Sequence, residues 1–126
     1  MKSLTQFIQE SLEAISHKKG NGNGEFRSGD NYLAYDEDIV SYPEPIDDAI
    51  EISTLFVKNR RHGIGTELVK ALIKYAKDSG FKHIVVFASP MGDHISEKDL
   101  IEFYTKLGFK HDDRVKDSLP CMILDL

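Results

Sequence analysis

The chain has 126 residues, 40% of them hydrophobic, a formal net charge of −5 and one cysteine. That length suits one domain around one core. No apolar run approaches the ~20 residues that span a bilayer, and the negative balance argues against nucleic acid as the main partner. In chain order, the stretch from Ser3 to about Ser16 predicts a helix. Ser3 and Gln6 make a capping-box pattern, and Leu4, Phe7, Ile8, Leu12 and Ile15 recur at helical spacing. Lys18 to Gly24 reads as a flexible glycine-rich loop within one domain. Asn31 to Val40 predicts a strand of poor alternation, and Pro43 and Pro45 follow in a loop. Ile50 to Val57 predicts a strand. Thr66 to Lys77 predicts a helix with Leu68, Ala71, Leu72, Tyr75 and Ala76 on one face and Gly80 beyond its end. Lys82 to Ala88 predicts a buried strand. Ser96, with Asp99 three residues on, caps a helix whose stripe is Leu100, Phe103, Tyr104 and Leu107, stopped by Gly108. Phe109 to Val115 and Pro120 to Leu126 predict a closing pair of strands.

Strand, helix, strand, helix and strand with short links imply a right-handed crossover. The expected fold class is α/β, a mixed sheet flanked by helices. Cys121 lies in the apolar run Cys121-Met122-Ile123-Leu124 and reads as a small core residue. It forms no internal disulfide, which fits a reducing, cytoplasmic compartment, and no secretory signal is evident at the N-terminus. The five histidines show no metal-ligand spacing, so no metal is expected.

The junction of the strand at 50–57 and the helix at 66–77 carries Lys58-Asn59-Arg60-Arg61-His62-Gly63-Ile64-Gly65-Thr66. A helix start exposes unpaired N–H groups and the positive end of the peptide dipoles. Glycines let a ligand approach that backbone, which suits a phosphate or pyrophosphate. A basic turn without a ligand has the same composition. A Walker loop needs Gly-Lys-Ser/Thr, whereas Gly65 is followed by Thr66 and Glu67. A dinucleotide fingerprint needs a small residue where Leu68 stands. What remains is Arg-x-x-Gly-x-Gly at Arg60, Gly63 and Gly65.

That pattern resembles the acetyl-coenzyme A loop of the GNAT family of N-acetyltransferases. Phe103-Tyr104-Thr105-Lys106-Leu107-Gly108-Phe109 resembles the family's second signature, and the two occur in the family's order. The resemblance covers about residues 49 to 126. It implies an acetyl-CoA-binding core there; residues 1–48, which carry no part of it, read as an N-terminal helix and an acidic, acceptor-side segment of the same domain. It also implies that the loop from Arg60 through Arg61, His62, Gly63, Ile64 and Gly65 to Thr66 holds the coenzyme's pyrophosphate. The pantetheine arm would pair with backbone at Leu55, Phe56 and Val57. Members usually carry two helices between the first two strands, whereas this N-terminal part is short and shows one. Many members have Asn where Glu97 stands here.

For the base, the resemblance to the histone-acetyltransferase branch points to Glu51, four residues before Leu55, a spacing that puts both side chains on one strand face. Asp48 and His94 are weaker candidates, and many members use a water chain. Tyr104 matches the family tyrosine that protonates the departing thiolate; it also fits a core tyrosine on the helix stripe.

The expected activity is acetyl transfer from acetyl-CoA to a primary amine, on a small molecule or a peptide, by direct attack in a ternary complex. The rivals are a non-catalytic coenzyme A-binding module and an interaction protein with an acidic binding segment. Nine acids lie between Glu25 and Glu51 against one base, Arg27. They read either as a solvated surface or as a wall that draws in a cationic acceptor. The acceptor's identity and the oligomeric state, a homodimer included, are left open by the sequence.

Overall fold

The structure, a computed structural model, describes residues 15–37, 47–58, 63–88, 96–112 and 121–126. Seven strands make one sheet: β1 (Ile15–Lys19), β2 (Asn23–Ser28), β3 (Asn31–Asp36), β4 (Ala49–Phe56), β5 (His83–Phe87), β6 (Lys110–His111) and β7 (Cys121–Asp125), in the order β1-β2-β3-β4-β5-β7-β6. Two helices are described, α1 (Ile64–Asp78) after β4 and α2 (Glu97–Lys106) after β5. Among the described strands only β4 and β5 pair in parallel, which is what a helical crossover between them requires. The fold is therefore the mixed α/β sheet expected.

The N-terminal part differs from the expectation. Residues 1–14 lie outside the described residues, but Ile15 and Ser16 belong to a strand and not to a helix end. The glycine-rich stretch is a hairpin: β1 pairs with β2 from Ile15–Ser28 to Lys19–Gly24. Gly22 turns it at φ 82°, and the Gly20 N–H donates to the Asn23 carbonyl at 2.8 Å. A second hairpin turns at Gly29 and Asp30, with Gly29 at φ 61°. An aromatic cluster fastens this ribbon to α1. His17 stacks on Phe26 at 4.2 Å and meets the edge of Tyr75 at 4.8 Å. His17 Nε2 and the Tyr35 hydroxyl share a hydrogen bond of 2.6 Å, and the Tyr75 hydroxyl donates to Glu37.

The main core lies between the sheet and the helices. Leu33, Ile50, Leu68, Leu72, Ala76 and Ile84 have no exposed surface, and Tyr104, Phe109 and Met122 join the same cluster. Truncating Leu68 or Leu72 to Ala would cost about 2–5 kcal/mol. The other face of the sheet carries a smaller cluster of Val85, Cys121 and Ile123, which bears out Cys121 as a core residue. Gly80 and Gly108 end the helices as expected. At α2, Gly108 takes φ 101° and donates to the Thr105 carbonyl, while Phe109 donates to that of Tyr104. Phe109 and Tyr104 close this Schellman turn with ring contact at 5.3 Å. Ser96 caps α2 by accepting from the Asp99 N–H at 3.1 Å. No helix among the described residues is long and apolar enough to cross a membrane.

Candidate functional site

The centre of the molecule is a fork in the sheet. β4 and β5 pair from Ala49–His83 to Ile52–Val86 and no further, whereas β4 continues beside β3 to Phe56. Beyond Ile52 the described backbone of β4 is paired on the β3 side alone. The parting coincides with a bulge. Ala34 faces Thr54 and Tyr35 faces Ile52, so Ser53 is the extra residue.

The bulge overturns one expectation. In a regular strand Glu51 and Leu55 would share a face. Here the register groups Glu51 with Thr54 and Phe56 opposite Asp36, Ala34 and Tyr32, while Ile52 and Leu55 lie opposite Tyr35 and Leu33. Leu55 and Val57 pack on the core beneath α1. Glu51 is on the other face, 6% exposed. Burial, and then the charge of Asp36 across the strand pair, pushes its carboxyl above the usual range.

Of the basic loop, Arg60, Arg61 and His62 lie outside the described residues. Its end is described. Gly63 takes φ 67° at the N-cap and accepts from the Glu67 N–H at 3.2 Å. The N–H groups of Ile64, Gly65 and Thr66 precede that first intrahelical bond, and no side chain caps them. Gly65 has a packing reason to be glycine. A Cβ there would meet Val57 Cγ2 at 3.2 Å and Phe103 Cζ at 3.5 Å, so it lets α1 start tight against β4 and α2.

Tyr104 projects from α2 into the core and is 2% exposed, in ring contact with Phe103 at 5.1 Å and with Phe109. Burial pushes its phenol well above the usual range. Its hydroxyl has no partner among the described residues, yet no buried side-chain oxygen or nitrogen is left unpartnered. Asp48 is held elsewhere: its carbonyl accepts from the Lys82 N–H at 2.7 Å, and its carboxylate pairs with Lys82 at 3.8 Å. His94 lies outside the described residues, and Glu97 starts α2. The described residues include no group of ligands able to hold a metal ion. The sequence reading missed Asp36 as the neighbour of Glu51 and Tyr32 as the neighbour of Phe56, since both pairings depend on register.

A family model of the acetyltransferase (GNAT) family matches residues 39–109, which is 71 of the 126 residues. The chain belongs to the GNAT family. Acetyl transfer is the general activity of that family. Among solved structures, this GNAT chain is similar to the anti-CRISPR protein AcrVA5, at 28% identity over 82% of this chain and 98% of that one, with a TM-score of 0.68. It is similar in fold to the PaiA N-acetyltransferase of Thermoplasma acidophilum in complex with coenzyme A, at 17% identity over 98% and 69% of the two chains and a TM-score of 0.59. A GNAT acetyltransferase of Elizabethkingia anophelis with acetyl-CoA bound shares the fold at 18% identity, over 96% and 82%, with a TM-score of 0.58. No curated protein matches the sequence.

Proposed function

We propose that the chain is an N-acetyltransferase that moves the acetyl group of acetyl-CoA to a primary amine by direct attack in a ternary complex. The observation that carries this reading is the fork: a sheet parted at Ile52–Val86, with Glu51 on one face and Tyr104 in the core on the other. The residues fit the coenzyme. Three N–H groups at the start of α1, at Ile64, Gly65 and Thr66, without a partner among the described residues, suit its pyrophosphate, with Arg60, Arg61 and His62 adding charge. The edge of the chain turned away from β3 at Leu55, Phe56 and Val57, unpaired among the described residues, suits the amides of the pantetheine arm. Acetyl-CoA supplies an acetyl thioester.

Glu51 takes the proton that the ammonium must lose before its nitrogen can attack. The carbon–nitrogen bond forms as the carbon–sulfur bond breaks. Backbone N–H groups of β4 stabilise the oxyanion that develops between the two events. The Tyr104 hydroxyl donates to the departing sulfur. Its raised pKa sets it above a thiol of ordinary acidity (~8.5 for cysteine), so it acts as a hydrogen-bond donor and leaves the final protonation of the thiolate to solvent. The test is release of free thiol from acetyl-CoA with a panel of primary amines, with the acetylated product weighed by mass spectrometry. Coenzyme binding without turnover on any amine would favour the non-catalytic rival.

A second reading concerns the target. Similarity to an anti-CRISPR protein over nearly all of that chain favours a component of a CRISPR system as the bearer of the amine. Expression of the chain beside CRISPR effectors in a plasmid-interference assay tests it. Full interference with every effector would remove this reading and leave the acetyltransferase intact.

A further inference from the structure

The face of the sheet turned away from α1 carries two rows that the bulge brings into line. β3 contributes Tyr32, Ala34 and Asp36; β4 sets Phe56, Thr54 and Glu51 opposite them. At one end two rings stack, Tyr32 on Phe56, with centroids 5.7 Å apart and planes 26° from parallel. Phe56 is 41% exposed, the one exposed large apolar side chain among the described residues. At the other end two carboxylates face each other, with no cationic partner among the described residues. Neighbouring acids have partners: Glu25 has Arg27 at 2.9 Å, Asp30 has Lys58 at 3.4 Å and Glu37 has Lys19 at 4.0 Å. Asp36 and Glu51 have no hydrogen bond or ion pair among the described residues, although Glu51 is more than nine-tenths buried. Two adjacent carboxylates, one of them on a residue only 6% exposed, repel each other and favour a cation between them. Between the ends lie only the small side chains of Ala34 and Thr54.

We propose that this strip is the acceptor subsite, with the acceptor's ammonium between Asp36 and Glu51 and a flat apolar substituent laid over Ala34 and Thr54 onto the exposed Phe56, whose partner Tyr32 is covered by the Arg27 guanidinium at 4.8 Å. The inference rests on the acetyltransferase reading and adds the class of amine. The two ends are four β3 residues apart, about 13 Å at ~3.3 Å per residue. A primary amine carrying an aromatic group on a long alkyl chain matches both ends, while a short or wholly polar amine matches one. Asp36 is a positioning residue. It shares the ammonium and holds Glu51 basic. The groups beside Glu51 on the adjoining strands are Asp36 on β3 and the uncharged Val85 on β5.

The test compares 6-phenylhexylamine with hexylamine on the full chain. Calorimetry without acetyl-CoA reads binding, and turnover with acetyl-CoA reads chemistry. Wild type is expected to bind 6-phenylhexylamine at least tenfold tighter than hexylamine. Phe56→Ala should remove most of that preference and Phe56→Leu, which keeps apolar bulk without a flat ring, only part of it. Asp36→Asn should weaken both amines to a similar degree and move the acid-side limb of the kcat–pH profile to lower pH, which loss of packing alone would not do. Equal binding of the two amines by wild type, an unchanged preference in both folded Phe56 variants, or a pH limb unmoved in Asp36→Asn would overturn the subsite. Selective binding without acetyl transfer would overturn the acetyltransferase reading and keep the subsite. Acetyl transfer without selectivity would do the reverse.

Discussion

Removing the Glu51 carboxylate from water raises the free energy of its charged form, and Asp36 raises it further. The folded-state pKa therefore lies above the unfolded one. The stability linked to this group is present below the ordinary carboxylate range and is lost as pH rises through the raised value. At pH 7 an ionised Glu51 destabilises the fold. Glu51→Gln should accordingly raise the melting temperature at pH 7, with the gain shrinking toward pH 4, while turnover falls and the ascending limb of the pH–rate profile disappears. A melting temperature that drops at pH 7 would mean that Glu51 is a structural partner and not a base held at a cost. Tyr104 offers the complementary case. Its ring closes the turn at the end of α2 against Phe109, and its hydroxyl is the proposed donor to the departing sulfur. Tyr104→Phe keeps the ring. Turnover is expected to fall about ten- to a hundredfold, at the low end of general-acid contributions, with acetyl-CoA affinity and melting temperature little changed. Full activity would assign Tyr104 to the core alone.

Among the elements, the start of α1 combines packing and ligand binding, and the two can be separated. Any side chain at Gly65 presses on Val57 and Phe103, so substitution there probes packing. Thr66 is only partly buried in the same turn. Thr66→Glu adds a negative charge that the helix dipole favours but that a pyrophosphate would repel. Acetyl-CoA affinity should fall at least tenfold, about 1.4 kcal/mol, with no loss of melting temperature; unchanged affinity by calorimetry would remove this turn from the coenzyme site. The elements that bury a full apolar face were legible in the sequence. β4, α1, β5, α2 and β7 lie within a few residues of their expected bounds, because Ile50, Leu68, Leu72, Ile84 and Tyr104 repeat with the period of their element. β1 was not legible. After Ile15 it presents Ser16, His17, Lys18 and Lys19 to solvent, and its stability comes from pairing with β2. The two sequence signatures identified the coenzyme half of the site. The fork was hidden, since one extra residue at Ser53 reverses the side-chain parity on which strand reasoning depends, and cross-strand neighbours such as Asp36 and Glu51 appear only with the register.

Over the whole molecule the charge is segregated. A net charge of −5 arises with nine acids between Glu25 and Glu51 against Arg27 alone, whereas Lys58, Arg60, Arg61 and His62 follow at once. An anionic donor and a cationic acceptor would be drawn to different sides of one site. Steering of this kind depends on the summed field, and salt screens it over about 10 Å at 0.1 M. For a cationic acceptor KM should therefore rise with ionic strength while kcat holds. Asp47→Asn combined with Asp48→Asn should raise KM at low salt and flatten its salt dependence. The fold should tolerate the pair. Asp48 takes φ 57°, a conformation that Asn accepts readily, and its carbonyl, not its carboxylate, receives the Lys82 and His83 N–H groups. The exposed Lys82–Asp48 ion pair lost in the exchange is worth little. A KM indifferent to salt and to neutralisation, or a best acceptor that is neutral, would reduce the acidic segment to a solvated surface. The amine would then be selected at the Asp36–Glu51 pair alone, by contact and not by the long-range field.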